Sequence, residues 1–136
     1  MDAAGITSRT AGVVVLLLVM QASLGVFRVR ALPATSVSAF PARAWLLTAH
    51  AIVGFVLLPL TFMHAWNSMR LPGMSRTSVP GLWMATGALL LLVAQAASGA
   101  SLLRLNEPQR NGTRRLHLAM AAVLVMLAGI HVVLNG

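Results

Sequence analysis

Residues 50–64 read HAIVGFVLLPLTFMH, and residues 117–131 read HLAMAAVLVMLAGIH. Each stretch is apolar and begins and ends on a histidine, and the sequence contains no other histidine. The members of each pair are fourteen residues apart, which is two heptads, so in a left-handed helical bundle both return to the same interior face. They are separated by about 21 Å of helical rise. Two such helices side by side would offer facing histidines at two depths.

The composition is that of a membrane protein. Of the 136 residues, 58% are hydrophobic and only 9% are charged, which leaves too little polar surface for a soluble domain. Four apolar stretches are each about long enough to cross the hydrocarbon core as a helix; they cover residues 11–27, 44–66, 82–103 and 116–134. We therefore predict an all-α fold, an integral membrane four-helix bundle, forming a single domain over residues 1–136.

The charged residues predict the orientation of this bundle. Arginines account for all the basic residues and give a formal net charge of +8. Because they cluster between the apolar stretches, membrane topology and anionic lipid explain them better than nucleic acid does. Seven lie in the first and third connections and three in the N-terminus and second connection. The positive-inside rule then predicts a multi-pass protein of a bacterial-type cytoplasmic membrane with both termini outside.

The chain also repeats itself, which predicts two tandem helix pairs. Residues 16–25, LLLVMQASLG, match residues 90–99, LLLVAQAASG, at seven of ten positions. The histidine pairs repeat with an offset of 67 residues and these segments with an offset of 74. A helix pair duplicated in the same orientation gives a pseudo-two-fold axis along the membrane normal.

The four histidines suit the axial ligands of two haems. Iron in a b-type haem accepts one imidazole on each face of the ring. Because the second and fourth helices run in the same direction, we expect His50 to pair with His117 on the cytoplasmic side and His64 with His131 on the outer side. A metal-ion site or ion path is a competing interpretation, but such ligands usually lie three or four residues apart, often with carboxylates. A further alternative is that the histidines only hydrogen-bond within the bundle. The absence of cysteine excludes disulfides, iron–sulfur clusters and covalent haem attachment.

Glycines of the other two helices are candidates to lie against the haems. A residue without a side chain lets the helix backbone approach a planar ring, and ordinary small-residue packing is the competing explanation. The candidates are Gly12 and Gly25 on the first helix and Gly87 and Gly99 on the third.

Arginines and glutamines complete the set of candidate residues. Arg43, Arg114 and Arg115 precede the cytoplasmic histidines, and their guanidinium groups suit haem propionates; alternatively, they only determine topology. Gln21 and Gln95 lie deep in their helices, where a buried amide needs a partner. That partner could be the other glutamine, a backbone carbonyl, a haem edge or a quinone.

With these ligand positions, the chain resembles the di-haem cytochrome b family. In that family a four-helix bundle carries two histidines, fourteen residues apart, on its second and fourth helices, and paired glycines on the others. The positions corresponding to the ligands are His50, His64, His117 and His131, whereas the glycine spacings here are thirteen and twelve residues. Half of a haem A synthase and the small bacterial b561-type cytochromes, including superoxide oxidase, are similar to a lesser degree.

The resemblance and the histidine pattern together predict transmembrane electron transfer through two haem b groups. We expect service as the membrane subunit of a larger oxidoreductase, with other redox subunits and membrane lipid as partners. A self-contained quinone-coupled oxidoreductase of the b561 type is one alternative, in which a quinone is a further ligand. A haem-handling or structural membrane subunit is the other.

Overall fold

A computed structural model describes residues 3–30, 40–70 and 78–135. The regular elements in these ranges are all helices. They are α1 (Ala3–Arg30), α2 (Phe40–Arg70), α3 (Val79–Ser101) and α4 (Gln109–Asn135). Each contains a segment long and apolar enough to cross a membrane. The predicted all-α, four-helix architecture is confirmed.

All four helices begin before the apolar stretches, and three of them also end beyond those stretches. Helix α2 begins at Phe40 and ends at Arg70, and α4 begins at Gln109, seven residues before the predicted position. Polar residues continue a helix past the hydrocarbon core because its backbone hydrogen bonds remain satisfied while long side chains reach water. Hydropathy locates the membrane-crossing part of a helix and not its ends.

Helix α3 differs because its end is earlier than predicted. It stops at Ser101 and not at residue 103, and the next residues form a turn in which Leu102, Leu103 and Arg104 donate backbone hydrogen bonds to carbonyls of residues 98, 100 and 101. At its other end, Ser78 is the N-cap, and its hydroxyl accepts from the Gly81 backbone nitrogen at 3.1 Å. Pro80 follows in the first turn, where a missing N–H costs nothing.

The helices pack as two antiparallel pairs. Helix α1 lies along α2, and α3 lies along α4, whereas contacts between the pairs are much fewer. We call the boundary between the α1–α2 pair and the α3–α4 pair the seam. The antiparallel direction follows from side-chain contacts, since Thr10 meets His64 near one end of the first pair and Gln21 meets His50 near the other.

Three leucines form the centre of the bundle, and we call them the leucine layer. Leu57 is 1% exposed, and Leu92 and Leu124 are also buried in the same cluster. Leu57 is seven residues from both histidines of α2, and Leu124 is seven residues from both histidines of α4. Leu57 and Leu124, each midway between two histidines, therefore face the interior. The leucine layer lies between the level of His50 and His117 and the level of His64 and His131, which we call the two histidine levels.

The outer surface of the bundle is apolar. Phe55 is 81% exposed, Trp83 71% and Trp45 69%. In a soluble protein such a surface would favour aggregation, whereas on a membrane-crossing helix it faces lipid. These four helices fit a multi-pass membrane protein.

Candidate functional site: a histidine pair across the seam

His50 and His117 meet across the seam. Their ring centroids are 6.2 Å apart and the ring planes are inclined by 65°. One histidine comes from α2 and the other from α4, so neither helix pair forms this contact alone. With Leu57 and Leu124 in one cluster below them, the contact shows that α2 and α4 run in the same direction.

Each ring is held by a glutamine of the neighbouring helix in its own pair. The Gln21 amide nitrogen donates to His50 Nε2 at 3.2 Å, and the Gln95 amide nitrogen donates to His117 Nε2 at the same distance. The two halves of the repeat thus build the same contact. This partner was not among those considered from the sequence, because periodicity alone does not show which residue of α2 lies opposite position 21.

Each of these two glutamines also has a side-chain carbonyl oxygen at this level. Gln21 Oε1 and Gln95 Oε1 are buried and have no hydrogen-bond partner among the described residues. A buried carbonyl without a partner costs free energy, so the arrangement is not that of a fully satisfied polar core.

The four candidate glycines divide into two kinds. A Cβ at Gly25 would lie 3.7 Å from His50 Cε1, and a Cβ at Gly99 would lie 3.3 Å from His117 Cε1. These two glycines therefore let the rings lie against the helices α1 and α3. By contrast, a Cβ at Gly87 would meet the side chain of Leu127 at 3.6 Å, and one at Gly12 would meet none of the described residues within 4 Å.

The second histidine level has different contacts. His131 Nδ1 lies 3.0 Å from the backbone carbonyl oxygen of Gly81. Because a carbonyl only accepts, Nδ1 donates in this contact. His64 Nδ1 lies 3.4 Å from Thr10 Oγ1. Both contacts are to the neighbouring helix of the same pair, and both engage Nδ1.

The candidate arginines lie near the start of the histidine-bearing helices. Arg114 and Arg115 are exposed in the second turn of α4, just before His117. Arg43 belongs to the first turn of α2, and its side chain lies outside the described part of the structure.

Sequence reasoning missed two side chains that contact the histidines. Ser98 Oγ lies 2.9 Å from His117 Nδ1, and Thr10 reaches His64. Glycine at position 54 leaves room for the amide of Gln21, since a Cβ there would lie 2.9 Å from its nitrogen. Ser98 could have been noticed because it directly precedes Gly99 and follows Gln95 by three residues, on the same side of α3.

Comparison with known proteins finds no matching protein family, no matching curated protein and no matching solved structure.

Proposed function

We propose that this protein carries electrons across a membrane through two b-type haems, one held by His50 and His117 and the other by His64 and His131. The observation that carries the proposal is the histidine pair that α2 and α4 form across the seam. When bound, each haem supplies an iron that cycles between ferrous and ferric states and so passes one electron.

The ring separation suits two ligands of one iron. Imidazoles on opposite faces of a metal have ring centres roughly 6 Å apart, because each metal–nitrogen bond is about 2 Å long. His50 and His117 are at 6.2 Å. The Nε2 atoms that would hold the iron now accept from the glutamine amides of their own helix pairs, so a metal bound there would replace these two hydrogen bonds.

The donor set also favours haem over a bare metal ion. Among the described residues, no group of three or more His, Cys, Asp or Glu side chains converges on one point. Two imidazoles alone are too few ligands for a tetrahedral zinc site. A haem would supply four nitrogens of its own, so two histidines would be enough to hold it.

The surrounding residues have distinct tasks in this proposal. Gly25 and Gly99 leave space beside the ligand rings, and the leucine layer keeps the interior between the two levels apolar. The seam contains few contacts, so the helix pairs can separate to admit a planar group without losing the packing within each pair.

Orientation and partners follow from the arginines and from the short connections. With both termini outside, the His50–His117 level lies toward the cytoplasm, where Arg114 and Arg115 would stabilise the reduced haem. The connection between α3 and α4 spans only residues 102–108 and offers no catalytic domain. We favour a partner subunit or a quinone as the group that supplies and removes the electrons, with this chain as the membrane subunit of a larger oxidoreductase.

Haem content tests the proposal. Protein purified from haem-replete cells should contain two b haems per chain by pyridine haemochromogen, and both should appear in the reduced-minus-oxidised spectrum. Protein without haem would contradict electron transfer and return the histidines to packing or metal-ion binding. Haem that binds but cannot be reduced would favour the haem-handling alternative.

Ligand substitution tests the pairing. His50→Ala and His117→Ala should each remove the same haem and leave the other, because each haem needs both axial ligands. His64→Ala and His131→Ala should likewise each remove the second haem and leave the first. The absorbance and potential of the haem that remains identify it, and loss of the His64 haem in His50→Ala protein would refute the pairing.

A further inference from the structure

Ser98 makes two contacts that together assign its hydroxyl proton. Its Oγ donates to the backbone carbonyl of Gln95 at 2.9 Å and lies 2.9 Å from His117 Nδ1. A carbonyl oxygen can only accept, so the proton of the hydroxyl points toward Gln95. The oxygen of Ser98 then accepts, and His117 donates its Nδ1–H.

The other ring nitrogen agrees with this assignment. The amide nitrogen of Gln95 lies 3.2 Å from His117 Nε2. An amide nitrogen only donates, so Nε2 must carry a lone pair. Both sides of the ring therefore require the same neutral tautomer, with the proton on Nδ1.

This arrangement occurs in only one half of the repeat. The alignment of residues 16–25 with residues 90–99 places Gln21 opposite Gln95 and Gly25 opposite Gly99, but it places Leu24 opposite Ser98. Leucine has no hydroxyl. The α1 segment thus repeats the glutamine and the glycine of α3 without the group that accepts from Nδ1.

We propose that Ser98 is a positioning residue that locks His117 in the Nδ1–H tautomer and so keeps the lone pair on Nε2, the nitrogen that would ligate a metal in place of the Gln95 amide. Neutral imidazole otherwise divides between two tautomers, of which only this one can bind a metal through Nε2. Donation from Nδ1–H to an acceptor also makes Nε2 a stronger ligand. A stronger ligand favours ferric iron and lowers the reduction potential. The ligation part of this inference rests on the proposed function, whereas the tautomer part does not.

The tautomer can be measured in protein without haem. The protein is labelled with ¹⁵N-histidine and held in detergent micelles, and the signals of His117 are assigned by comparison with His117→Ala. These signals should show a protonated Nδ1. Ser98→Val should add a population of His117 that is protonated on Nε2. Ser98→Thr should not, because threonine keeps the hydroxyl while having almost the same volume as valine. Ser23→Ala is the matched control, since Ser23 is exposed and donates only to the Val19 carbonyl. An unchanged tautomer in Ser98→Val protein would overturn the proposal.

The reduction potential tests the ligation part. In a His64→Ala background, which keeps only the His50–His117 haem, Ser98→Val should raise the midpoint potential and Ser98→Thr should leave it near that of the background. An unmoved potential in a haem-loaded protein would refute this role of Ser98 and leave the proposed function standing. If the wild-type protein holds no haem, the proposed function and the ligation part fail together, and the NMR experiment still decides the tautomer.

Discussion

At the scale of single residues, the histidine site is built twice and differs in its details. Gln21 and Gln95 make the same contact with His50 and His117, which follows from the duplicated sequence. The glycines that follow them differ in how closely they approach the histidine rings. The Cβ distance to the histidine ring would be 3.7 Å at Gly25 and 3.3 Å at Gly99, so the α3–α4 half is more tightly packed against its histidine.

This difference predicts unequal effects of alanine at the two glycines. Gly99→Ala should displace the ring of His117 by a few tenths of an ångström, because a Cβ at 3.3 Å is closer than ordinary van der Waals contact. Gly25→Ala should be accommodated, since 3.7 Å is an ordinary contact distance. We expect Gly99→Ala to lower the haem occupancy of the His50–His117 level and Gly25→Ala to leave it close to the wild type.

The haem-to-protein ratio and the low-temperature spectrum of the two variants provide the measurement. Gly112→Ala, which lies outside the histidine levels, is the control, because no atom of the described residues lies within 4 Å of a Cβ at that position. Equal losses in the Gly25 and Gly99 variants would contradict the asymmetry.

At the scale of helices, the heptad pattern and the helix ends have different physical origins. The interior faces of α2 and α4 follow from the fourteen-residue spacing of the histidines, and the buried positions of Leu57 and Leu124 at the midpoints agree with it. Helix ends depend on local hydrogen bonding. Ser78 satisfies a backbone N–H of α3, and the turn after Ser101 satisfies its last carbonyls.

The N-cap of α3 gives a prediction about stability. Ser78→Ala should lower the free energy of unfolding by about 1 kcal/mol, because the Gly81 N–H loses its acceptor. The buried Gly81 also supplies the carbonyl that accepts from His131, so fraying of this turn should loosen the position of His131 first. SDS titration of helical circular dichroism in mixed micelles measures the change.

Two further variants serve as controls for this measurement. Ser23→Ala removes a hydroxyl from an exposed position within α1 and should change stability by much less. Ser78→Asp retains a side-chain acceptor at the cap and should keep most of the stability. If Ser78→Ala and Ser23→Ala were equally stable, the cap would have no measurable role in holding α3.

At the scale of the whole molecule, the two helix pairs act as units joined along the seam. Contacts within each pair are extensive and contacts between the pairs are few, yet the histidine contact and the leucine layer both cross the seam. The seam is therefore where a planar group between α2 and α4 would be accommodated. The apolar outer surface is left to lipid or to partner subunits.

The orientation of the whole bundle is testable by reporter fusions. Alkaline phosphatase fused after Gly136 should be active, because the positive-inside rule places the C-terminus outside. The same enzyme inserted at residue 107, in the arginine-rich connection between α3 and α4, should be inactive, and green fluorescent protein should give the opposite pattern. Active phosphatase at residue 107 together with inactive phosphatase after Gly136 would invert the orientation and exchange the two histidine levels.

Much of the fold can be read from the sequence because it depends on properties that are periodic along the chain. Hydropathy over a span of about twenty residues gives the number of helices, the heptad spacing gives their interior faces, and the internal repeat gives the two pairs. The ligand candidates follow from the same periodicity. These features require no knowledge of which residues meet across helices.

Only the tertiary structure decides the contacts between helices. Register along a helix pair determines that Gln21 and Gln95 reach the histidines, that Gly25 and Gly99 lie against the rings while Gly12 does not, and that Ser98 accepts from His117. A shift of one residue rotates a helix by about 100° and would replace each of these partners. Interhelical hydrogen bonds of this kind depend on two helices at once, and for that reason no single segment of sequence predicts them.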